Sequence, residues 1–147
     1  MEQTLGLIKP DAIAAGHTGK IIDHILRAGF RVRGLKMVHL TRAQAEAFYA
    51  MHRERPFFAD LVEFMTSGPV IAFVLEKENA VAAYRELMGA TDPAKAAPGT
   101  LRALYGQNIE RNAVHGSDSI ENAQREINFF FSQAELIPTQ SLTLSVV

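Results

Sequence analysis

The sequence predicts an α+β sandwich in which helices cover one face of a small, mainly antiparallel sheet of four strands. Three observations predict it. Apolar runs of strand length are few and short, while stretches with apolar residues at helical spacing are numerous. The two kinds follow one another as strand, helix, strand, two helices, strand, helix, loop, short strand, helix, without the strict alternation of a parallel sheet. A chain of 147 residues, 48% of them apolar, is long enough for one core and too short for two comfortable ones, which gives a single domain over 1–147 with residues 137–147 as its tail.

The first strand spans Gln3 to Lys9 through Leu5, Leu7 and Ile8, and Pro10 is expected to stop it because proline donates no backbone hydrogen bond. Gly16 to Gly19 reads as a turn. Ile21, Ile22, Ile25 and Leu26 then set two adjacent apolar rows on one helix face, closed by Gly29. Phe30 to Leu40 is a strand covered on at least one face, with His39 in it. Thr41 and Gln44 have the spacing of a capping box and open a helix through about Met51. A second short helix follows Arg55-Pro56-Phe57-Phe58, with Leu61, Val62, Phe64 and Met65 as its stripe.

Ser67-Gly68-Pro69 is a turn before Val70 to Leu75, the most apolar strand and so a central one. Ala80 to Leu87 is a helix that carries Arg85 near its end. Gly89 to Gly99 has two prolines, two glycines and no apolar period, which makes it a long loop of the kind that carries function. Leu101 to Tyr105 allows one helical turn. In the last helix Ile120, Ala123, Ile127, Phe130 and Phe131 recur at helical spacing, with Ser117, Asp118 and Ser119 all suited to cap it. Beyond Pro138, the alternation of Leu142, Leu144 and Val146 suggests an extended segment that needs a surface to lie on.

A net charge of -1 gives no electrostatic case for a nucleic-acid or anionic-membrane partner, so any anion site must be local. Without cysteine there is no disulfide and no thiol chemistry, and the cytoplasm is the default location. The start lacks a basic stretch followed by an apolar one and no run of about 18 apolar residues occurs, so an unexported chain without a membrane span is expected. Phosphate-binding Gly-rich motifs, Gly-x-Ser-x-Gly and clusters with metal-ligand spacing are also missing.

What remains is the stretch Asn112-Ala113-Val114-His115-Gly116-Ser117-Asp118-Ser119, a histidine beside the start of a helix whose free amides favour an anion. Lys9, Tyr49, Arg85, Thr91, Arg102 and Asn112 sit at element ends or in loops. Taken one at a time, solvent exposure, a helix terminus, a turn or a nearby acid accounts for each. Phosphate binding needs their convergence, which spacing does not give. Of the adjacent Phe57 and Phe58, one belongs in the core and the other is open as a platform for a flat ligand, unless both pack inside.

As a set, these residues resemble the nucleoside diphosphate kinases. The similarity rests on the 112–119 stretch and on Ile8-Lys9-Pro10-Asp11, Arg55-Pro56-Phe57-Phe58, Thr66-Ser67-Gly68-Pro69, Gly89-Ala90-Thr91-Asp92-Pro93 and Pro98-Gly99-Thr100-Leu101-Arg102, in family order over positions 3 to 135. It implies a ferredoxin-like fold and transfer of the γ-phosphate of a nucleoside triphosphate, mainly ATP, to nucleoside diphosphates by a ping-pong route through phosphohistidine. By the same resemblance His115 is the nucleophile, Glu126 holds its far ring nitrogen, and Tyr49 lies near the transferring group. Arg85, Thr91 and Arg102 hold phosphates, and Lys9 and Asn112 bind the sugar hydroxyls, with Lys9 also near phosphate. Phe57 stacks on the base, with Leu61 and Ile109 lining it. Gly116 is expected to leave room for the phosphate, with the Ser117 hydroxyl in reach of it.

Magnesium, Mg2+, is expected on the nucleotide phosphates rather than on a protein cluster. A homo-oligomer is expected, a tetramer ahead of a hexamer or dimer. Leu104 departs from the aspartate of many relatives, which bears on a loop or subunit contact. A protein-directed histidine phosphocarrier would have no use for Phe57, Lys9 and Asn112, and a catalytically silent relative would be expected to have lost the nucleophile or a phosphate ligand.

Overall fold

The computed structural model describes residues 1–138, so the expected extended segment at Gln140 to Val147 lies outside the described residues. Strand β1 (Glu2–Ile8) is followed directly by helix α1 (Pro10–Ala14). Pro10 thus opens a helix as well as closing a strand: at the first helical position its fixed φ is already right and its missing N–H is not needed. Helix α2 (Thr18–Arg27) takes in Gly19, which the sequence placed in a turn, and Gly29 follows it at φ +95°. Of its expected apolar rows, Ile21 and Ile25 are buried, whereas Leu26 is exposed.

Strand β2 (Arg31–Val38) leads to helix α3 (Arg42–Phe48), where Thr41 and Gln44 complete the capping box with bonds of 3.1 and 2.9 Å. This helix stops three residues earlier than expected, and Ala50–His52 turns as a 3₁₀ helix. Next come α4 (Phe58–Met65), β3 (Val70–Lys77) and α5 (Ala80–Met88). The loop after α5 contains a 3₁₀ turn at Pro93–Lys95, and then α6 (Leu101–Tyr105), β4 (Val114–Gly116) and α7 (Ile120–Phe130) complete the order. Of the three candidate caps, Ser119 is the one used: its hydroxyl accepts from the Asn122 amide at 3.1 Å.

The strands pair antiparallel in the order β2-β3-β1-β4, with β3 central as its composition required. The α+β, ferredoxin-like expectation holds, but helices cover both faces of the sheet and not one. Alternation explains why. On β1 and β3, Leu5, Leu7, Val70, Ala72 and Val74 face a core with α3, α4 and α7, while Ile8, Ile71, Phe73 and Leu75 face a second core with α2, α5 and α6.

A bulge at Arg33 breaks the β2–β3 register between Val32 and Gly34. The buried Arg33 guanidinium meets Glu76 and also donates to the Ile137 carbonyl at 2.6 Å, so the chain leaving α7 is fastened across the edge of the sheet. His39 falls just past β2, with Nε2 2.8 Å from the Thr66 carbonyl oxygen. Among the described residues, no helix is long and apolar enough to cross a membrane.

Candidate active site

Strand β4 is short, and its three residues are placed by pairing with β1, His115 opposite Leu7. Period-two alternation then decides what each side chain meets. His115 turns toward α7, where its Nε2 lies 2.9 Å from Glu126 Oε1. The same oxygen accepts from the Ser117 hydroxyl at 2.7 Å, and Arg125 stands 3.7 Å from the other oxygen. Glu126 and Ser117 are buried, whereas the imidazole keeps 23% of its surface. Among the described residues nothing hydrogen-bonds its Nδ1.

Two expectations about this strand are corrected. The Ser117 hydroxyl is committed to the carboxylate of Glu126 instead of reaching into the open site. Gly116 faces the opposite core, where a Cβ would come within 2.6 Å of Met88 Cε and 2.7 Å of Tyr84 Cδ2; it makes room for helix α5 rather than for a phosphate.

Aromatic rings flank the histidine. Phe48 meets it edge-on at 5.5 Å between centroids, and Tyr49 lies at 6.5 Å. Burial, reinforced by the negative charge of Glu126, pushes the Tyr49 phenol well above its usual range, so it stays protonated near neutral pH.

A cavity of about 410 Å³ gathers six of the residues singled out by the sequence: Lys9, Phe57, Leu61, Thr91, Ile109 and Asn112. Its apolar end belongs to the start of α4. Phe57 is 47% exposed and lines the cavity, while Phe58 packs against the core, which resolves the two phenylalanines. Its polar end is a chain of contacts. The Lys9 ammonium donates to Asn112 Oδ1 at 2.8 Å and to the Glu110 carbonyl at 3.3 Å, and Asn112 Nδ2 donates to the Thr91 carbonyl at 3.1 Å. Burial lowers the Lys9 pKa to about 8, with Asp11 opposing the shift and Arg102 adding to it.

Arg102 projects from α6 and ties two elements together, donating to the Gly89 carbonyl at 3.1 Å and to the Val114 carbonyl at 3.0 Å, one residue before His115. Arg85 is set apart from the cavity, in an open groove that it shares with Asp118, although it remains near enough to Arg102 for their charges to interact. Leu104 is 52% exposed on α6.

Other residues line the site that the sequence did not assign to it, Phe64 having been read as part of a helix stripe. Asp60, Phe64 and Glu110 also line the cavity, with Arg111 over the Phe64 ring at 5.2 Å. His52 lies between Tyr49 and Phe57, at 6.5 and 5.6 Å between ring centroids. Asp60 and Phe64 stand three and seven residues beyond Phe57, a helical repeat that could have put them on the same face. No comparable spacing signals Glu110 or His52.

Known proteins resemble this chain in both sequence and fold. The family model described as nucleoside diphosphate kinase matches residues 2–136. A nucleoside diphosphate kinase of Wolinella succinogenes is 62% identical over 92% of this chain and 99% of its own, and that of Chlamydia abortus is 58% identical over 93% and 97%. Among solved structures, the nucleoside diphosphate kinase of Aquifex aeolicus superposes with a TM-score of 0.91 at 50% identity, covering 92% of this chain and 99% of that one. With similarity of this degree over nearly its full length, the chain belongs to the nucleoside diphosphate kinase family and is a nucleotide-directed kinase of that kind.

Proposed function

We propose that this enzyme moves the γ-phosphate of a nucleoside triphosphate, chiefly ATP, to nucleoside diphosphates through a phosphohistidine on His115 Nδ1. The observation that carries the proposal is the division of labour on the imidazole. With Nε2–H donated to Glu126, the neutral ring keeps its lone pair on Nδ1, which no described residue engages. That lone pair attacks the γ-phosphorus, the bond to the β–γ bridging oxygen breaks, and the diphosphate leaves. A second diphosphate enters the same site and the step runs in reverse, which is ping-pong kinetics.

The positive charge that develops on the ring is stabilised by Glu126. Charge on the phosphoryl oxygens is met by Arg102, Arg85 and Lys9, with Thr91 and Tyr49 as donors, since phosphoryl transfer depends mainly on positioning and electrostatics. Lys9 and Asn112 hold the sugar. Phe57 takes the base on its face, with Leu61 and Ile109 beside it. Stacking of this kind tolerates any base and supports a broad substrate range.

Mg2+ enters as part of the substrate, on the nucleotide phosphates. Mg2+ commonly relies on substrate phosphates and water rather than on a dedicated protein cage. We also place the enzyme in the cytoplasm and read it as a homo-oligomer, a tetramer by preference. The exposed Leu35 and Met37 on edge strand β2 support association.

The test is to incubate the enzyme with γ-labelled ATP and Mg2+, look for acid-labile, base-stable phosphate on His115, and chase with several diphosphates. Label should appear and pass to all of them. His115→Ala should abolish transfer while nucleotide still binds, and turnover retained in that variant would remove His115 from the mechanism.

A further inference from the structure

We propose that Asp11 is a positioning residue for the transfer reaction: its carboxylate fixes the left-handed turn leading into the histidine strand and sets a negative charge behind the Lys9 ammonium. The inference rests on the reading of the site given above and assigns a role to a residue that this reading leaves unused.

Asp11 is 7% exposed and sits in the first turn of α1, two residues after Lys9. Its Oδ2 accepts from the Ala113 amide at 3.1 Å across 102 positions of sequence. Ala113 is fully buried and has φ +74°, a conformation that a residue with a Cβ rarely adopts and that costs about 1 kcal/mol or more. Something must hold it there. The Ala113 carbonyl is held from the same side, accepting from the Lys9 amide at 2.8 Å. Both polar groups of the strained residue are therefore fixed by the Lys9–Asp11 segment.

This turn separates Asn112, which binds the Lys9 ammonium, from Val114 and His115, which enter the sheet. Were it to relax, Asn112 and His115 would change their relative direction. Asp11 Oδ1 is buried without a hydrogen-bond partner among the described residues, a cost that the contact to Ala113 leaves uncompensated.

The charge matters for a second reason. Lys9 is buried and faces Asp11 from its own segment and Arg102 from α6. The Lys9 ammonium and the Arg111 guanidinium both lie over the Phe64 ring, at 5.6 and 5.2 Å from its centroid, and Asp60 and Glu110 line the same cavity. Desolvation and Arg102 both disfavour the ammonium, and Asp11 opposes them. Removing that anion destabilises the charged form and lowers the Lys9 pKa further.

The experiment compares Asp11→Asn, which keeps an acceptor and loses the charge, with Asp11→Ala, which loses both. Lys9 is titrated by NMR in the full chain labelled at its lysine side chains, without nucleotide, and kcat and KM are measured from pH 6 to 9.5. In Asp11→Asn the Lys9 pKa should fall by on the order of half a unit or more, and the alkaline limb of kcat/KM should move down with it. Asp11→Ala should in addition lower kcat/KM about tenfold at every pH, the effect of one lost charge-assisted hydrogen bond. An unchanged Lys9 titration in Asp11→Asn overturns the proposal, as does Asp11→Ala with wild-type kcat/KM. Should Asp11→Ala not fold, the Asp11→Asn titration decides. Failure of the unsubstituted enzyme to form phosphohistidine would instead count against the transfer mechanism and leave the titration readable.

Discussion

The shared oxygen of Glu126 gives a quantitative test of how the nucleophile is oriented. Oε1 accepts from both His115 Nε2 and the Ser117 hydroxyl, at 2.9 and 2.7 Å, in a pocket where the carboxylate is buried. Glu126→Gln keeps shape and an oxygen in place, and the Ser117 hydroxyl can hold that oxygen toward the ring. The tautomer survives and only charge assistance is lost. A hydrogen bond to a charged group contributes about 1.5–3 kcal/mol against about 0.5–1.5 for a neutral one, so kcat should fall roughly tenfold with KM little changed.

Ser117→Ala removes the anchor alone and should cost about as much or less. In the double variant nothing prevents the carboxamide from turning its NH₂ toward Nε2. The ring would then carry its proton on Nδ1 and lose its nucleophilic lone pair. That failure is of the wrong-tautomer kind, for which losses on the order of 10⁴ are known in a serine protease triad. The combined loss should therefore exceed the product of the single losses by tenfold or more, measured as single-turnover phosphorylation rates in a double-mutant cycle. Wild-type kcat in Glu126→Gln, or a double variant no worse than the product, would refute the reasoning.

Four further outcomes follow from the geometry. As pH rises through about 8, Lys9 loses its charge and the KM for diphosphates should climb, with Lys9→Gln flattening the profile. Stability should change in the opposite sense: between about 8 and the ordinary value of 10.5 the unfolded chain binds more protons at this site, so the Lys9 contribution to unfolding free energy rises with pH, which denaturant titration of wild type against Lys9→Gln would read. Phe57→Ala should raise KM for purine and pyrimidine diphosphates alike, by a factor corresponding to about 1–3 kcal/mol of lost stacking; an effect confined to one base would contradict the stacking role. Gly116→Ala forces a methyl against Met88 and Tyr84 and should lower unfolding free energy by about 1–3 kcal/mol in denaturant titration.

The sheet, most helices and the capping box at Thr41 were legible because each depends on local chemistry. The covering of both faces of the sheet was not, although the continuous apolar run Val70 to Leu75 already carried its sign. Pro10 was read by what it forbids, ladder bonding, while its welcome at a helix start went unused. Leu26 was assigned inward by periodicity, yet it stays 48% exposed while Ile21 and Ile25 carry the packing of α2.

Within the site, residue identities were legible only as a set. Spacing places neither Lys9 against Asn112 nor Ser117 against Glu126, since those pairs depend on strand order and on which way β4 faces. Ser117 and Gly116 were misjudged for that reason. Arg33 shows the limit most plainly: an arginine in a strand is ordinarily a surface residue, and its burial against Glu76 accompanies a bulge that leaves no mark in composition.

The antiparallel placement of β4 carries a consequence for how this gene product can tolerate change. His115 and Gly116 serve opposite cores from adjacent positions of a three-residue strand, and among the described residues β1 alone supplies its ladder. The segment from 110 to 114 is tied down by Lys9 at Glu110 and Asn112, by Asp11 at Ala113 and by Arg102 at Val114, and so has little slack to absorb. A single-codon deletion there would not shorten a loop. It would rotate the imidazole into the packing of α5 and deliver a glycine to Glu126. Substitutions in this segment can be graded in effect, whereas changes of length are all-or-none.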